Sequence, residues 1–164
     1  MNGLKIIHIS DLHLGSFTST KPIKDVVKLI NNEEADIIVF TGDIINNSYW
    51  EAEDFIDDLS QLNAKYGKYA VLGNHDYGDY LGIDKKTESG MNEWQSNFNK
   101  MTSIYHNIGF DLLLNENRTI KILDSDQLFG KWNDFIFNAN WTNNEKKGYF
   151  KFKQNIPSIL KEIF

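Results

Sequence analysis

The chain has 164 residues, with 17 lysines and arginines against 23 aspartates and glutamates. This length suits one domain, and the net charge of −6 disfavours a non-specific nucleic-acid binder, which needs clustered basic residues. The absence of cysteine excludes disulfides, thiolate nucleophiles and cysteine-based metal sites.

Apolar strands and amphipathic helices alternate over the first 72 residues. Short β-rich apolar runs predict strands, and apolar residues three and four apart predict helices. The elements in chain order are a strand at 4–10, a helix opening at Pro22, a strand at 36–41, a helix at 50–62 and a strand at 68–72. Because Ile37-Ile38-Val39-Phe40 is continuously apolar, the second strand is expected to be buried on both faces. This order predicts an α/β fold with βαβ units in a mostly parallel sheet.

The alternation weakens beyond Gly73. The pattern predicts a long loop at 77–91, a helix at 91–106, and a pair of strands at 110–115 and 119–123 around a turn. It further predicts a strand at 134–138, a polar loop at 140–148 and a last helix from about Ile156.

Three short polar motifs come directly after the first three strands. Asp11 and Asp43 are 32 residues apart, as are Asp43 and His75, which is about the length of one βα unit. The motifs should therefore return to one edge of the sheet, at the carboxyl ends of the strands, where open α/β sheets bind ligands. The motifs are Asp11-Leu12-His13, Gly42-Asp43 and Gly73-Asn74-His75-Asp76.

The residue types in these motifs indicate a metal site. Carboxylate, imidazole and amide oxygen are ligands of hard or borderline divalent ions. Asp11 and His13 would share one face of a continuing strand, although a loop could also bring them together. Asp43 on the middle strand is best placed to bridge two ions. Two ions roughly 3.5–4 Å apart can hold a hydroxide that attacks a phosphoester. If Asn74 is a ligand, His75 is better suited to be a general acid or a donor to a phosphoryl oxygen.

Each residue also has a purely structural interpretation. Asp11 and Asp43 could cap helices, His13 could be a surface residue, and Asn74 could occupy a left-handed turn. Three such coincidences at consecutive strand ends favour the metal site. Three aromatic residues could line a substrate cleft or could equally pack within the fold: Trp50, Tyr77 and Tyr80.

These motifs resemble those of the calcineurin-like metallophosphoesterase superfamily, and most closely its bacterial membrane-associated or secreted members, over about residues 4–123. The resemblance is carried by Ile9-Ser10-Asp11-Leu12-His13-Leu14-Gly15, Phe40-Thr41-Gly42-Asp43 and Val71-Leu72-Gly73-Asn74-His75-Asp76. It implies that Asp11 and His13 bind a first metal ion and that Asp43 bridges to a second. It also implies that Asn74 binds the second ion and that His75 assists phosphoryl transfer.

The resemblance implies the N-terminal part of a four-layer αββα sandwich. It also implies metal-dependent hydrolysis of phosphomonoesters, phosphodiesters or pyrophosphates through a metal-activated hydroxide, with up to two ions of manganese, iron or zinc. We expect one phosphoesterase domain over residues 1–164, incomplete at its C-terminal end, with a motif-bearing part at 4–123 and a weakly patterned tail at 124–164. Since no leader and no run of roughly 20 apolar residues is present, we expect a soluble, cytoplasmic protein, or a membrane-associated one if the chain is part of a longer protein.

The histidine count departs from the family pattern. The family completes its site with one histidine after a further strand and with a Gly-His-x-His pair, but no histidine follows His106 here. His8 fits a hydrogen-bonded strand residue, and His106 fits the C-terminal end of a helix, where a cation is favourable. The first site then keeps Asp11, His13 and Asp43, whereas the second keeps only Asn74 and the shared Asp43.

This shortage of ligands leaves three functional alternatives. The chain is a phosphoesterase of reduced activity, a non-catalytic module that binds metal, phosphate or a partner, or one part of a site that another polypeptide completes. An incomplete sandwich would also leave strand residues 37–40 and 69–72 uncovered on one face, which predicts self-association.

Overall fold

The computed structural model describes residues 4–122, 133–139 and 150–154. A first sheet contains four parallel strands in the order β1-β2-β3-β4, which confirms the predicted parallel sheet. Its register pairs Ile9 with Phe40 and Phe40 with Ala70, so the three motif-bearing strands end at one edge. The strands are β1 (Ile6–Ile9), β2 (Ile37–Phe40), β3 (Lys68–Ala70) and β4 (Asp111–Leu112).

Three α-helices and four 3₁₀ turns connect these strands. The helices are α1 (Lys21–Asn32), α2 (Ile56–Leu59) and α3 (Glu88–Asn107). The 3₁₀ turns are Leu14–Ser16, Tyr49–Phe55, His75–Tyr77 and Asp79–Leu81. The prediction of one regular helix at 50–62 is wrong, because most of this segment is the 3₁₀ turn that precedes the short α2. The spacing of three between the buried Ala52 and Phe55 suits a 3₁₀ turn, which has three residues per turn.

A second, antiparallel sheet has the order β5-β6-β7. Its strands are β5 (Asn117–Ile122), β6 (Asn133–Ala139) and β7 (Phe150–Gln154). The strand predicted at 134–138 is confirmed as β6, whereas β7 was not predicted. The predicted polar loop at 140–148 and the predicted helix from Ile156 both lie outside the described residues.

The predicted pairing of segments 110–115 and 119–123 is wrong. β4 pairs with β3, and the N–H of Leu113 still donates to the carbonyl of Ala70, so this segment belongs to the first sheet. Asn115, with a φ of 59°, then redirects the chain, and β5 pairs with β6 instead. Arg118 on β5 spans the turn and makes two hydrogen bonds to the carboxylate of Asp111, at 2.6 and 3.1 Å.

Both faces of the first sheet are buried. Ile38 and Phe40 pack under the helices, in a cluster with residues of α1 and α3. Ile37 and Val39 pack on the opposite face against Ile120 of β5. The fold is therefore mixed α/β, with a helical layer on one face of the parallel sheet and β5 of the second sheet on the other.

The exposure expected for an incomplete sandwich is not observed. Residues 37–40 are at most 3% exposed and residues 70–72 at most 2% exposed, while Tyr69 is partly buried and packs against the cluster of Ile37 and Val39. This basis for self-association is therefore wrong, and self-association stays a prediction without support from these strands. Among the described residues, no helix is both long and apolar enough to cross a membrane.

The ends of β2 and β3 meet at two glycines. A Cβ added to Gly42, whose φ is +92°, would lie 1.8 Å from the backbone nitrogen of Gly73. A Cβ added to Gly73 would lie 2.2 Å from the Asp43 carboxylate. Glycine is required at both positions because the two backbones approach too closely for any side chain.

We expect Gly42→Ala to lower the free energy of unfolding by about 3 kcal/mol or more. Alanine is strained at this positive φ, and its Cβ would also clash with the backbone of Gly73. Gly82→Ala is the matched control, since Gly82 has a φ of +70° but no heavy atom within 4 Å of its added Cβ. That variant should lose only about 1 kcal/mol. Urea unfolding of both variants measures the difference, and equal losses would contradict the close-approach argument.

Candidate metal centre

Backbone hydrogen bonds continue beyond the ends of β1 and β2 and join their loops. The N–H of Asp11 donates to the carbonyl of Gly42 at 3.1 Å, and that of His13 donates to the carbonyl of Asp43 at 3.0 Å. Three residues of these loops other than glycine have left-handed φ values, namely Asp11 at 54°, His13 at 45° and Asp43 at 59°. A left-handed residue other than glycine costs roughly 1–2 kcal/mol, and such strain concentrates at functional sites.

Three of the predicted site residues meet beyond the strand ends. His13, Asp43 and His75 each offer a ligand atom, and these atoms all lie within 4.8 Å of one another. The two imidazole rings meet edge to face, with their centroids 4.8 Å apart. Asp43 is fixed through Oδ1, which accepts the N–H of His75 at 2.8 Å. Two imidazoles and a carboxylate, all half-buried, are a donor set that fits a divalent metal ion.

A backbone carbonyl determines which nitrogen of His75 faces the site. Nδ1 lies 2.6 Å from the carbonyl oxygen of Asn46. Because a carbonyl only accepts, Nδ1 must carry the proton. The neutral ring therefore keeps an unprotonated Nε2, which can bind a metal ion, and the protonated ring can donate from Nε2 to a substrate oxygen.

The other two predicted ligands adjoin this cluster. One carboxylate oxygen of Asp11 lies 4.0 Å from Nε2 of His13, and the Asp11 side chain is 64% exposed. Asn74 precedes His75 and donates through Nδ2 to the hydroxyl of Tyr80 at 3.0 Å, which leaves its Oδ1 for a ligand role. The structure thus brings His13, Asp43 and His75 together and places Asp11 and Asn74 beside them.

The structure distinguishes between the alternative roles of Asp11 and Asn74 and shows where His8 and His106 lie. Asp11 is not a helix cap, because His13 precedes the turn Leu14–Ser16. Asn74 has a φ of −69° and so does not occupy a left-handed turn. His8 is confirmed as a hydrogen-bonded strand residue, with Nε2 2.8 Å from Oγ1 of Thr41. His106 lies in the last turn of α3, as expected.

Asp76 is a supporting residue to which sequence reasoning assigned no role. Its fully buried carboxylate accepts four hydrogen bonds, from the N–H groups of Asp43, Ile44 and Gly73 and from the hydroxyl of Tyr105, at 2.9–3.0 Å. Burial raises the pKa of Asp76 to about 6, against the lowering effect of these hydrogen bonds. The sequence signal was its position in the third motif, although the other residues that it contacts become apparent only in the fold.

Glu51 is a second supporting residue that sequence reasoning missed. Its carboxylate accepts the N–H groups of Asn46 at 2.6 Å, Asn47 at 3.1 Å and Ser48 at 3.2 Å. It therefore holds the loop whose Asn46 carbonyl orients His75. The available signal was the spacing of Ser48 and Glu51, which is typical of a capping box at a helix start.

The sequence also matches a known protein family. The model of the family described as "Calcineurin-like phosphoesterase" matches residues 4–160, which is nearly the whole chain. The chain belongs to the calcineurin-like phosphoesterase family. This match extends beyond the motif-bearing part at 4–123 that the sequence motifs had indicated. Members of this family usually bind divalent metal ions, which agrees with the cluster of His13, Asp43 and His75.

Individual phosphoesterases are similar to this chain over different lengths. An uncharacterised metallophosphoesterase of Bacillus subtilis, YkuE, is 43% identical over 81 residues, covering 48% of this chain and 28% of that protein. Two proteins named UDP-2,3-diacylglucosamine pyrophosphatase LpxG match 98% of this chain and 56% of their own length. The one from Chlamydia trachomatis is 30% identical and the one from Chlamydia muridarum is 28% identical. The chain thus spans about half or less of these relatives.

We expect Asp76→Asn to lower the free energy of unfolding by about 1–3 kcal/mol, because the amide nitrogen would face an N–H donor and leave it unsatisfied. Asp25→Asn is the matched control, since this exposed residue has only a surface ion pair, 3.9 Å from Lys21. That pair is worth at most about 1 kcal/mol. Urea unfolding at neutral pH compares the variants, and an Asp76→Asn protein as stable as the control would contradict the supporting role.

Proposed function

We propose that this chain binds divalent metal through Asp11, His13, Asp43 and Asn74 and hydrolyses phosphoesters. In this proposal His75 is the general acid, or the donor to a phosphoryl oxygen. The observation that carries the proposal is the convergence of His13, Asp43 and His75 beyond the strand ends in a calcineurin-like phosphoesterase. A bound divalent ion would supply Lewis-acid polarisation of the phosphoryl group and an activated water.

The chain's own residues prepare the site for such a reaction. His75 donates its backbone N–H to Asp43, so the carboxylate keeps one orientation in the cluster. The bond from Nδ1 of His75 to the Asn46 carbonyl turns Nε2 toward the site, so the protonated ring can give its Nε2 proton to the departing oxygen and become neutral. An alternative role for His75 as a metal ligand is supported by its ring nitrogen, which lies within 4.8 Å of ligand atoms of His13 and Asp43.

The proposed substrates are phosphodiesters or pyrophosphates. The support is the match over 98% of this chain to two relatives named as pyrophosphatases of a nucleoside-diphosphate sugar that carries two acyl groups. The chain spans 56% of the length of those two relatives.

A second candidate function is a non-catalytic module that binds metal or phosphate. It is favoured by the small number of histidines that could bind metal. The sequence has four histidines, and two of them, His8 and His106, lie elsewhere in the fold. A ligand supplied by another polypeptide would restore the reaction, so the isolated chain and a mixture with such a partner would behave differently.

Asp43→Asn tests the metal site. We expect the affinity for Mn²⁺ to fall by roughly tenfold or more, because the amide supplies one neutral oxygen in place of a charged carboxylate at the centre of the cluster. Isothermal titration with Mn²⁺ measures this loss. Asp57→Asn, at an exposed position on α2, is the matched control and should bind as the unchanged chain does. Equal affinity in both variants would refute the ligand assignment.

His75→Gln tests the reaction and separates the two roles of this residue. With bis(4-nitrophenyl) phosphate and Mn²⁺, we expect turnover to fall by roughly 10²–10⁴-fold while Mn²⁺ affinity stays near that of the unchanged chain. A parallel loss of Mn²⁺ affinity would instead identify His75 as a ligand. His106→Gln is the control, and a chain that binds Mn²⁺ without any turnover would favour the non-catalytic module.

A further inference from the structure

We propose that Tyr80 is a positioning residue that sets the orientation of both Asn74 and His75. The inference rests on the proposed function, because it assigns these two side chains to the metal and phosphoryl site. Tyr80 lies on the 3₁₀ turn Asp79–Leu81, and its two described contacts are a hydrogen bond to Asn74 and a stacked ring contact with His75. One exposed aromatic side chain therefore connects two neighbouring site residues.

The contact with Asn74 anchors one end of its amide. Nδ2 donates to the Tyr80 hydroxyl at 3.0 Å. An asparagine binds a metal ion through its carbonyl oxygen, so a side chain turned the other way would present two N–H donors to the cation. In the observed orientation the Tyr80 hydroxyl accepts from Nδ2, which anchors the side chain and leaves Oδ1 as the remaining ligand atom of Asn74.

The contact with His75 fixes the plane of the imidazole. The Tyr80 ring stacks on it with a centroid distance of 4.5 Å and an interplanar angle of 27°. The His13 ring meets His75 at an interplanar angle of 88°, and the Asn46 carbonyl accepts from Nδ1. Without Tyr80, the ring would lose one of three contacts that restrict it, so the direction of Nε2 would be less tightly fixed.

The loop around Tyr80 is built to hold it in place. Gly78 and Gly82, on either side of its turn, have φ values of 67° and 70°, which allow the chain to bend sharply before and after the turn. Nε1 of Trp94 on α3 donates to the carbonyl of Tyr77 at 2.7 Å. Asp79 forms an ion pair with Lys85. The turn is therefore anchored to α3 and to the chain that leads into it.

Burial of Tyr80 does not account for this arrangement. The residue is 56% exposed, so its ring contributes little to the apolar core. An exposed tyrosine that only packed would tolerate replacement of its hydroxyl and of its ring without a change at the site. If Tyr80 is a positioning residue, loss of its hydroxyl should affect Asn74, and loss of its ring should affect His75 as well.

The test compares Tyr80→Phe, which keeps the ring and removes the hydroxyl, with Tyr80→Leu, which removes both. Tyr69→Phe is the control, because it also deletes a hydroxyl hydrogen bond, 3.0 Å to the Tyr66 carbonyl, on the other face of the sheet.

In the metal-free protein, NMR should show shifted Asn74 side-chain amide signals in both Tyr80 variants. The His75 ring protons should lose their ring-current shift only in Tyr80→Leu. With Mn²⁺, titration calorimetry should show affinity reduced by roughly tenfold in Tyr80→Phe and by more in Tyr80→Leu.

Failure of the proposed function and failure of the Tyr80 inference would give different results. If the unchanged chain binds no Mn²⁺, the proposed function fails, while the metal-free NMR signals still decide whether Tyr80 orients Asn74 and His75. If Asn74 and His75 signals in both Tyr80 variants match those of the Tyr69→Phe control, the inference is overturned. Unchanged Mn²⁺ affinity in Tyr80→Leu would overturn it as well.

Discussion

The buried carboxylate of Asp76 is the interaction on which the site depends. A buried charge is costly unless it is fully hydrogen-bonded, and Asp76 meets that condition by accepting four hydrogen bonds. Its donors come from the loop after β2, from the end of β3 and from Tyr105 of α3. The carboxylate can be satisfied only when these three segments converge, and their convergence also places Asp43 beside the backbone N–H of His75.

Left-handed backbone at the site follows from this convergence. Asp11, His13 and Asp43 have positive φ values, which together cost several times the roughly 1–2 kcal/mol of one such residue. The strain persists because hydrogen bonds between the loops and a core buried on both faces of β2 fix the backbone around it. The backbone thereby presents the Asp43 and His13 side chains toward His75, which a relaxed extended chain would not do.

Those features that rest on local periodicity could be predicted from the sequence. Residues 37–40 are continuously apolar, so a strand buried on both faces was predictable, and the 32-residue spacing of Asp11, Asp43 and His75 predicted a common edge. The pairing of β4 with β3 and of β5 with β6 was not predictable, because it depends on the left-handed turn at Asn115 and on the Arg118–Asp111 contact. The supporting roles of Asp76 and Glu51 likewise depend on partners that only tertiary structure brings together.

Hydrogen bonding separates the supporting residues from those that remain available for chemistry. Both oxygens of Asp76 accept from the protein, so this side chain has a structural role only. His75 and Asn74 instead use one atom each, Nδ1 and Nδ2, and Asp43 accepts through Oδ1. Within the described part of the chain, Nε2 of His75, Oδ1 of Asn74 and Oδ2 of Asp43 have no hydrogen-bond partner assigned. Each side chain is thus oriented by one polar atom and offers the other, which is the condition for binding an ion without losing its position.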